Sequence, residues 1–337
     1  MLLKKIAYCI FVLAVLLIFP FEVMAGPVEV VFELNLKAPE NSKDVRIWIP
    51  YPVSDENQNV SHVKIEGNYT SSGVQKEKAF GNSILYAEWK NPGRERILTY
   101  TFTVERKEVV RKQHFPQRET ALDRKLFEPY LVPTSLGPTS GKVKKLAETI
   151  TEKETTILAK SRAIYDWIVD NMYRDPNIKG CGFGRVEQLL ISLGGKCGDI
   201  SSVYVALARS AGIPSREIFG IRIPMGKEGD MTKSQHCWAE FYVPGYGWVP
   251  VDPADVRKAM LEKKLQLGQE KEVREYYFGA VDKQRIAYGT GRDLILDPPQ
   301  KGEPLNYFMY PYAEVDGKTI DDLFGFDLGY TITFKEL

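Results

Sequence analysis

The first part of the chain shows alternating apolar and polar positions. Between Val28 and Leu36 every second residue is apolar, and the residues between them are mostly polar. A period of two residues is typical of a β-strand with one buried face. Shorter alternations, separated by Pro, Gly, Asn and Ser, recur at 45–49, 63–65, 85–89 and 98–104. Residues 26–108 are therefore predicted to form a small all-β, sandwich-like domain.

After this domain the hydrophobic period changes. Residues 109–138 contain several prolines and keep neither period, which predicts an ordered connector. Apolar positions then follow a helical period at 143–150 and 157–172, and a third helical stripe runs from Cys197 to Gly212. Beyond it we expect strands at 218–223, 235–243 and 248–251, a helix at 256–267, and strand-like stretches at 293–296, 307–315 and 330–334. Residues 139–337 are thus predicted to be an α+β domain with helices packed on an antiparallel sheet.

The N-terminus carries a targeting pattern. Two lysines precede an apolar run from Ile6 to Phe19, a proline ends the run, and a small residue stands at Ala25. This pattern predicts a signal peptide, residues 1–25, cleaved after Ala25. The alternative is an uncleaved anchor, although the run is short for a bilayer. The mature protein is then expected to be periplasmic or extracellular, with no stable membrane insertion.

The composition restricts the partners of the mature protein. The 337 residues include 45 basic and 44 acidic side chains, which gives a net charge of +1 and no block of like charge. A nucleic-acid surface is therefore not expected. Neither a phosphate-binding glycine motif nor a zinc-type spacing of Cys and His occurs in the sequence, so we expect no cofactor and no metal. The oligomeric state stays open.

Three cysteines follow the predicted leader: Cys181, Cys197 and Cys237. An odd number in an oxidising compartment leaves at least one thiol unpaired or paired between chains. Cys197 follows Gly194-Gly195-Lys196 at the predicted start of a helix, where backbone N–H groups and the helix dipole favour a thiolate. Its own N–H is placed to donate to an oxyanion on an attacked carbonyl. The alternative is a buried cysteine that only packs.

A base and its partner follow Cys197 in the chain. His236 lies in a predicted strand, and Asp252 comes directly after the next strand. If Tyr242 opposes Trp248 in this hairpin, His236 and Asp252 become diagonal neighbours on one face, with backbones roughly 7 to 8 Å apart. A shift of one residue would place Asp252 on the other face. Alone, each residue is more typical of a structural role; together with Cys197 they match a nucleophile, a base and an orienting acid.

These segments resemble the transglutaminase-like superfamily. The resemblance covers about residues 160–255 and lies in Gly-Lys-Cys197-Gly-Asp, Ala-Gly-Ile-Pro-Ser-Arg216, His236-Cys-Trp-Ala-Glu-Phe-Tyr and Val-Pro-Val-Asp252-Pro. It implies a papain-like α+β core in which Cys197 attacks an amide carbonyl, His236 exchanges the proton and Asp252 orients His236. It also implies that Tyr173, which matches a recurrent tyrosine upstream of the cysteine, supplies a second oxyanion donor. No calcium-loop spacing of acidic residues supports a calcium-activated enzyme.

The sequence leaves alternatives open for the function and for the pairing of the cysteines. We expect a cysteine-dependent enzyme that hydrolyses peptide or protein amides, since water is the default acceptor of the acyl group. A protein-crosslinking transglutaminase that uses an amine acceptor is the alternative enzyme, and a non-catalytic binding or assembly module on the same fold is the alternative of another class. Cys181 and Cys237 could form a structural disulfide that leaves Cys197 free, but sequence does not show whether they approach each other.

Overall fold

The computed structural model describes residues 26–337 except residues 91, 92, 94, 113, 114, 117, 321 and 322. The predicted signal peptide and its cleavage site lie outside the described residues. The helices are α1 Gly141–Thr151, α2 Ile157–Asn171, α3 Val186–Ser192, α4 Cys197–Ser210, α5 Pro253–Lys263 and α6 Lys271–Tyr276. The strands are β1 Val28–Asn35, β2 Val45–Pro50, β3 Gln58–Gly67, β4 Ser71–Lys76, β5 Ser83–Trp89, β6 Ile97–Arg106, β7 Val109–Val110, β8 Tyr173–Arg174, β9 Gly194–Gly195, β10 Ser215–Arg222, β11 Glu228–Asp230, β12 Gln235–Val243, β13 Gly247–Val251, β14 Ala280–Val281, β15 Arg285–Thr290, β16 Tyr312–Val315, β17 Lys318–Thr319 and β18 Tyr330–Glu336.

The N-terminal strands build two five-stranded sheets. One has the order β11-β18-β1-β6-β3 and the other β17-β16-β2-β5-β4, and all their pairings are antiparallel. Apolar side chains of both sheets meet in one buried cluster, as the alternation in β1 requires: Val30, Phe32, Ile47, Leu85, Phe102 and Phe334 are among its members. The predicted strand-rich region is confirmed.

The last strands of the chain join these N-terminal sheets. β18 pairs with β1 over Val28↔Glu336 to Leu34↔Tyr330, and β16 pairs with β2. Residues 139–337 were predicted to form one domain; two of its strands, β16 and β18, pair with strands of the predicted N-terminal domain. Long-range pairing of this kind depends on open sheet edges, which no local pattern reveals. The predicted boundaries at 108 and 138 remain predictions.

The second part of the molecule is built around α4. This helix is buried over almost its whole length and packs on β12, on the other helices α1, α2, α3 and α5, and on β10. The sheet beneath it has the antiparallel order β13-β12-β10-β15. Helices that pack on an antiparallel sheet confirm the predicted α+β class.

The segments around this sheet agree only in part with the sequence pattern. The strands at 218–223, 235–243 and 248–251 are found as β10, β12 and β13, and the helix predicted at 256–267 is α5. The stretch 293–296 contains a single bridge, Leu294↔Leu305, and only Tyr312–Val315 of 307–315 is a strand. β15 was not predicted, because its residues are buried or half-buried on both faces and show no two-residue period. Within the described residues, every helix is too short or too polar to span a lipid bilayer.

Candidate active site

Cys197 is the first residue of α4, as the glycine-rich sequence before it predicts. The first N–H groups of a helix have no partner one turn back, so the N–H of Cys197 has no acceptor within α4. The Asp199 carboxylate fixes the helix start by accepting from the N–H groups of Lys196 (3.1 Å) and Gly184 (2.8 Å). The Gly198 N–H donates to the Cys181 carbonyl oxygen at 2.8 Å. The thiol therefore stands at a helix N-terminus that its neighbours hold in place.

The glycines around Cys197 permit close packing at this point. A Cβ atom at Gly195 would lie 2.5 Å from the Asp199 Cβ, and one at Gly198 would lie 2.7 Å from the Cys181 carbonyl oxygen. Side chains here would push the helix start away from the strand and loop beside it. Glycine at these positions thus sets the position of the sulfur.

His236 and Asp252 come together through the register of one hairpin. Tyr242 opposes Trp248 and Ala239 opposes Val251 in the β12–β13 pair, which is the register that the sequence analysis required. His236 Nε2 lies 2.8 Å from Asp252 Oδ2. Asp252 is also the N-cap of α5, where its Oδ1 accepts from the Asp255 N–H at 2.8 Å. The carboxylate is fully buried, so its orientation is set from two sides.

The sulfur of Cys197 lies among two other thiols and the imidazole of His236. Hydrogen bonds from the thiols of Cys181 and Cys237 hold the pKa of Cys197 well below its ordinary value; burial opposes them, and the hydrogen bond and charge of His236 support them. The hydrogen bond to Cys197 and burial raise the pKa of Cys181, and burial and the same kind of hydrogen bond raise that of Cys237. One of the three thiols is therefore favoured as the thiolate, and it is Cys197.

The imidazole of His236 is poised to carry a proton. Burial lowers the pKa of His236 and the charge of Arg222 adds to this, but the carboxylates of Asp255 and Asp252 outweigh both, so that the net pKa lies above its ordinary value. Because Nε2 is bound to Asp252, Nδ1 is the ring nitrogen left for Cys197. A thiolate beside an imidazolium is the ion pair that these two opposite shifts favour.

A buried ionic network lies behind the histidine and was missed by the sequence analysis. The Arg285 guanidinium, fully buried on β15, reaches Asp252 at 2.5 Å, Asp255 at 2.9 Å and Asp282 at 2.9 Å. It lies between the aromatic rings of Trp238 and Tyr277, with centroids 5.6 and 5.1 Å away. The guanidinium thus fixes the carboxylate that holds His236.

Asp255 forms the second layer of this network. Its Oδ2 accepts from Arg222 and from Arg285, and its Oδ1 lies 3.7 Å from His236 Nε2. Burial alone would raise the pKa of Asp255. The charges of His236, Arg285 and Arg222 outweigh burial and hold the pKa below its ordinary value, so the carboxyl stays ionised. The sequence offered a signal for Asp255, since it lies one helical turn after Asp252, but none for Arg285.

Comparison with known proteins agrees with this geometry. The model of the transglutaminase-like superfamily matches residues 144–253, which contain Cys197, His236 and Asp252. An uncharacterized protein of Haemophilus influenzae is 36% identical over 331 residues, 90% of this chain and 89% of that one. The chain belongs to the transglutaminase-like superfamily.

Two other proteins share less of their sequence with this chain. A protein of Cytophaga hutchinsonii, described as a candidate cysteine protease, has a structure that covers 93% of this chain and 99% of its own, with a TM-score of 0.55 and 16% identity, which shows a common fold. YebA of Bacillus subtilis is 26% identical over 249 residues, 63% of this chain and 33% of that protein. The Cytophaga hutchinsonii protein therefore shares its fold with nearly the whole of this chain.

The superfamily resemblance suggested an oxyanion role for Tyr173. Its ring lies over Gly194, where a Cβ atom would come within 2.6 Å of the hydroxyl oxygen, and its N–H donates to the Leu193 carbonyl at 2.9 Å. The residue is 47% exposed. The structure brings Tyr173 beside the segment that leads to Cys197, and its oxyanion role stays a prediction.

The disulfide considered for this superfamily member is not formed in the structure. Cys181 and Cys237 are free buried thiols. Cys237 points from β12 towards α4, and the Cys181 thiol lies 3.2 Å from the Gln235 carbonyl oxygen, so both converge on Cys197. This arrangement cannot be predicted from the sequence, because no local pattern gives the position of the loop that carries Cys181.

The carboxylates near His236 also have a spacing that could suit a metal ion. One ligand atom from each of His236, Asp252 and Asp255 lies within 4.8 Å of the others. Arg285 and Arg222, however, already donate to the oxygens of these carboxylates. A divalent cation would lie beside two guanidinium groups, and like charges at this distance repel strongly in a buried site. The donor set fits an ion-paired histidine and does not fit a metal.

Proposed function

We propose that the protein is a cysteine-dependent acyl-transfer enzyme that hydrolyses peptide or protein amides. The observation that carries this proposal is the arrangement of a thiol at a helix N-terminus, a histidine beside it and a buried carboxylate 2.8 Å behind the histidine. The opposite pKa shifts of Cys197 and His236 support it, because they favour the reactive ion pair at neutral pH. Membership of the transglutaminase-like superfamily agrees with thiol chemistry.

The proposed reaction divides between the three residues. The Cys197 thiolate attacks the amide carbonyl carbon, a sulfur–carbon bond forms, and the negative charge on the oxygen is stabilised by the N–H of Cys197. His236 gives its proton from Nδ1 to the leaving nitrogen, and the carbon–nitrogen bond breaks to leave a thioester. A water molecule then gives a proton to His236 Nδ1 as its oxygen bonds to the carbonyl carbon, and the sulfur–carbon bond breaks to release the acid and restore the Cys197 thiolate. Asp252 holds the imidazole throughout.

We propose hydrolysis as the outcome because water attacks the thioester whenever no amine attacks it first. The pattern of residues 1–25, two lysines followed by an apolar run, supports an exported protein as part of the same proposal. The substrates are then peptides or proteins outside the cytoplasm. An amine acceptor would give the crosslinking reaction instead, through the same thioester.

The test is the capture of the thioester. Residues 26–337 would be incubated with a defined mixture of peptides, and both the protein and the peptides followed by mass spectrometry, with and without methylamine. Hydrolysis predicts an acylated Cys197 and products that gain water; a dominant methylamide product would assign the amine-transfer reaction instead.

The control is the pair Cys197→Ser and Cys237→Ser. The first should abolish both acylation and turnover, while the second should retain both, since Cys237 is not the attacking thiol and a serine hydroxyl can still donate a hydrogen bond to Cys197. Absence of acylation of Cys197 by every peptide, with the protein folded, would contradict the proposal.

A further inference from the structure

A cleft of about 400 Å³ opens beside His236. Its lining includes four basic side chains, Arg174, Arg222, Lys233 and Lys258, and no aspartate or glutamate among its described residues. The chain as a whole is nearly neutral, so this grouping of positive charge is local. A cleft with one sign of charge concentrates ligands of the other sign.

The four cations differ in how far their charge is already neutralised. Arg222 is paired with Asp255 and lies 3.6 Å from Asp282. Lys258 lies 3.7 Å from Glu262 at an exposed position, which is a weak pairing. Arg174 and Lys233 have no ion pair within the part of the chain that the structure describes. These two side chains keep their charge for a ligand.

Arg174 has the most informative position. Arg174 pairs with Gly195 in the parallel β8–β9 ladder, and the Asp175 N–H donates to the Gly195 carbonyl at 3.0 Å. The backbone of Arg174 therefore lies beside Gly195, which comes two residues before Cys197 in the chain. Its Nη1 is buried and has no hydrogen-bond partner among the described atoms. A buried donor without an acceptor is costly, and a charged one more so. The Arg174 side chain also lines the cleft, where a carboxylate would pair with its guanidinium, a group that can bind both carboxylate oxygens at once.

We infer that this cleft binds a carboxylate of the substrate and that Arg174 is the residue that recognises it. The substrate class is then an acidic peptide or protein segment with a carboxylate side chain close to the amide that Cys197 attacks. Lys233 lines the same cleft and adds a second positive charge. The cleft borders His236, the proposed base, so this assignment rests on the proposed function.

A pair of small reagents tests the assignment at the thiol itself. Iodoacetate carries a carboxylate and iodoacetamide does not, and with both the Cys197 thiolate displaces iodide as a sulfur–carbon bond forms and the carbon–iodine bond breaks. We expect the rate ratio of iodoacetate to iodoacetamide to fall about tenfold in Arg174→Gln, since a charge-assisted hydrogen bond is lost. Arg174→Lys should keep part of the ratio, and Lys142→Gln, which removes an exposed charge outside the cleft, should leave it unchanged.

A binding experiment keeps the assignment independent of reactivity. Mature Cys197→Ala protein would be titrated by calorimetry with acetyl-Ala-Glu-Ala-Glu-Ala-amide and with the same peptide carrying glutamine at both glutamate positions. The glutamate peptide should bind at least tenfold more tightly, and the difference should disappear in Arg174→Gln. Equal binding of the two peptides, or an unchanged reagent ratio in Arg174→Gln, would overturn the inference.

The two proposals fail in different ways. If Cys197 reacts with neither reagent, the proposed function is contradicted, while the peptide titration still decides what the cleft binds. If Cys197 reacts and the Arg174→Gln variant behaves as the parent protein, the thiol chemistry stands and the carboxylate assignment falls.

Discussion

At the scale of single residues, the proposed catalysis depends on how the imidazole of His236 is held. Its ring lies between the sulfur of Cys197 and the carboxylate of Asp252, and both side chains are buried, so it has little freedom to turn. A ring with one nitrogen bound to a carboxylate keeps the tautomer and the protonated form that the reaction needs. Asp252 thus acts on the reaction through His236.

Asp252→Asn tests this role. Asparagine keeps the volume and can still accept from the Asp255 N–H, but it removes the negative charge that stabilises the imidazolium. We expect kcat to fall by ~10²- to 10⁴-fold with a small change in KM, measured on any peptide that the parent protein cleaves. Unchanged kcat in a folded variant would show that Asp252 does not orient His236.

At the scale of elements, β15 determines whether the site can form. It is the edge strand of the sheet that carries His236, and its first residue, Arg285, forms ion pairs with three carboxylates. From the sequence the hairpin register was a condition: pairing of Tyr242 with Trp248 places Asp252 on the face of His236, a shift of one residue does not, and the structure has this pairing. The role of Arg285 could not be predicted, because nothing in the local sequence indicates a strand there. It depends on the folded chain, which brings Arg285 to the carboxylates of Asp252, Asp255 and Asp282.

Arg285→Gln should therefore destabilise the fold. It leaves Asp252 and Asp255 buried with only His236 and Arg222 to balance their charge, and loss of one partner of a buried ion pair costs about 3–5 kcal/mol. The free energy of unfolding would be measured in urea against Lys283→Gln, an exposed charge close by in the chain. Adding Asp255→Asn to Arg285→Gln should restore part of the loss; no loss in the single variant would mean that the network contributes nothing to stability.

At the scale of the whole molecule, the last strand connects the N-terminal sandwich to the active site. β18 lies between β1 and β11, and the Met231 N–H donates to the Ile332 carbonyl at 2.8 Å. The Ile332 N–H in turn donates to the Thr232 hydroxyl at 2.8 Å. The next residue, Lys233, lines the basic cleft, so the sandwich supports one wall of the proposed substrate site.

Ile332→Ala tests this connection. The side chain is buried in the core between the two sheets, and its truncation should cost about 2–5 kcal/mol of unfolding free energy. We also expect KM to rise more than kcat falls, because the cleft wall loosens while the catalytic residues stay in place. Thr331→Ala, on the exposed face of the same strand, is the control. If both variants leave KM unchanged, the sandwich does not support the cleft.

The pH dependence of alkylation at Cys197 tests whether Cys197 and His236 form a thiolate–imidazolium pair. Iodoacetamide would be applied to residues 26–337 from pH 4 to pH 10 and the modification located by mass spectrometry. Cys181 and Cys237 should stay unmodified near neutral pH, since their pKa values are raised. Any slow opening of the buried site limits the plateau rate, so the midpoint of the profile is the quantity compared.

Hydrogen bonds from the thiols of Cys181 and Cys237 hold the pKa of Cys197 well below its ordinary value, so we expect its thiolate to persist at pH values where an ordinary thiol is protonated. We predict that the alkylation rate holds its plateau well below the ordinary thiol pKa of about 8.5, and that His236→Ala moves the midpoint upward. A midpoint near 8.5 for Cys197, the same with and without His236, would contradict the proposed ion pair.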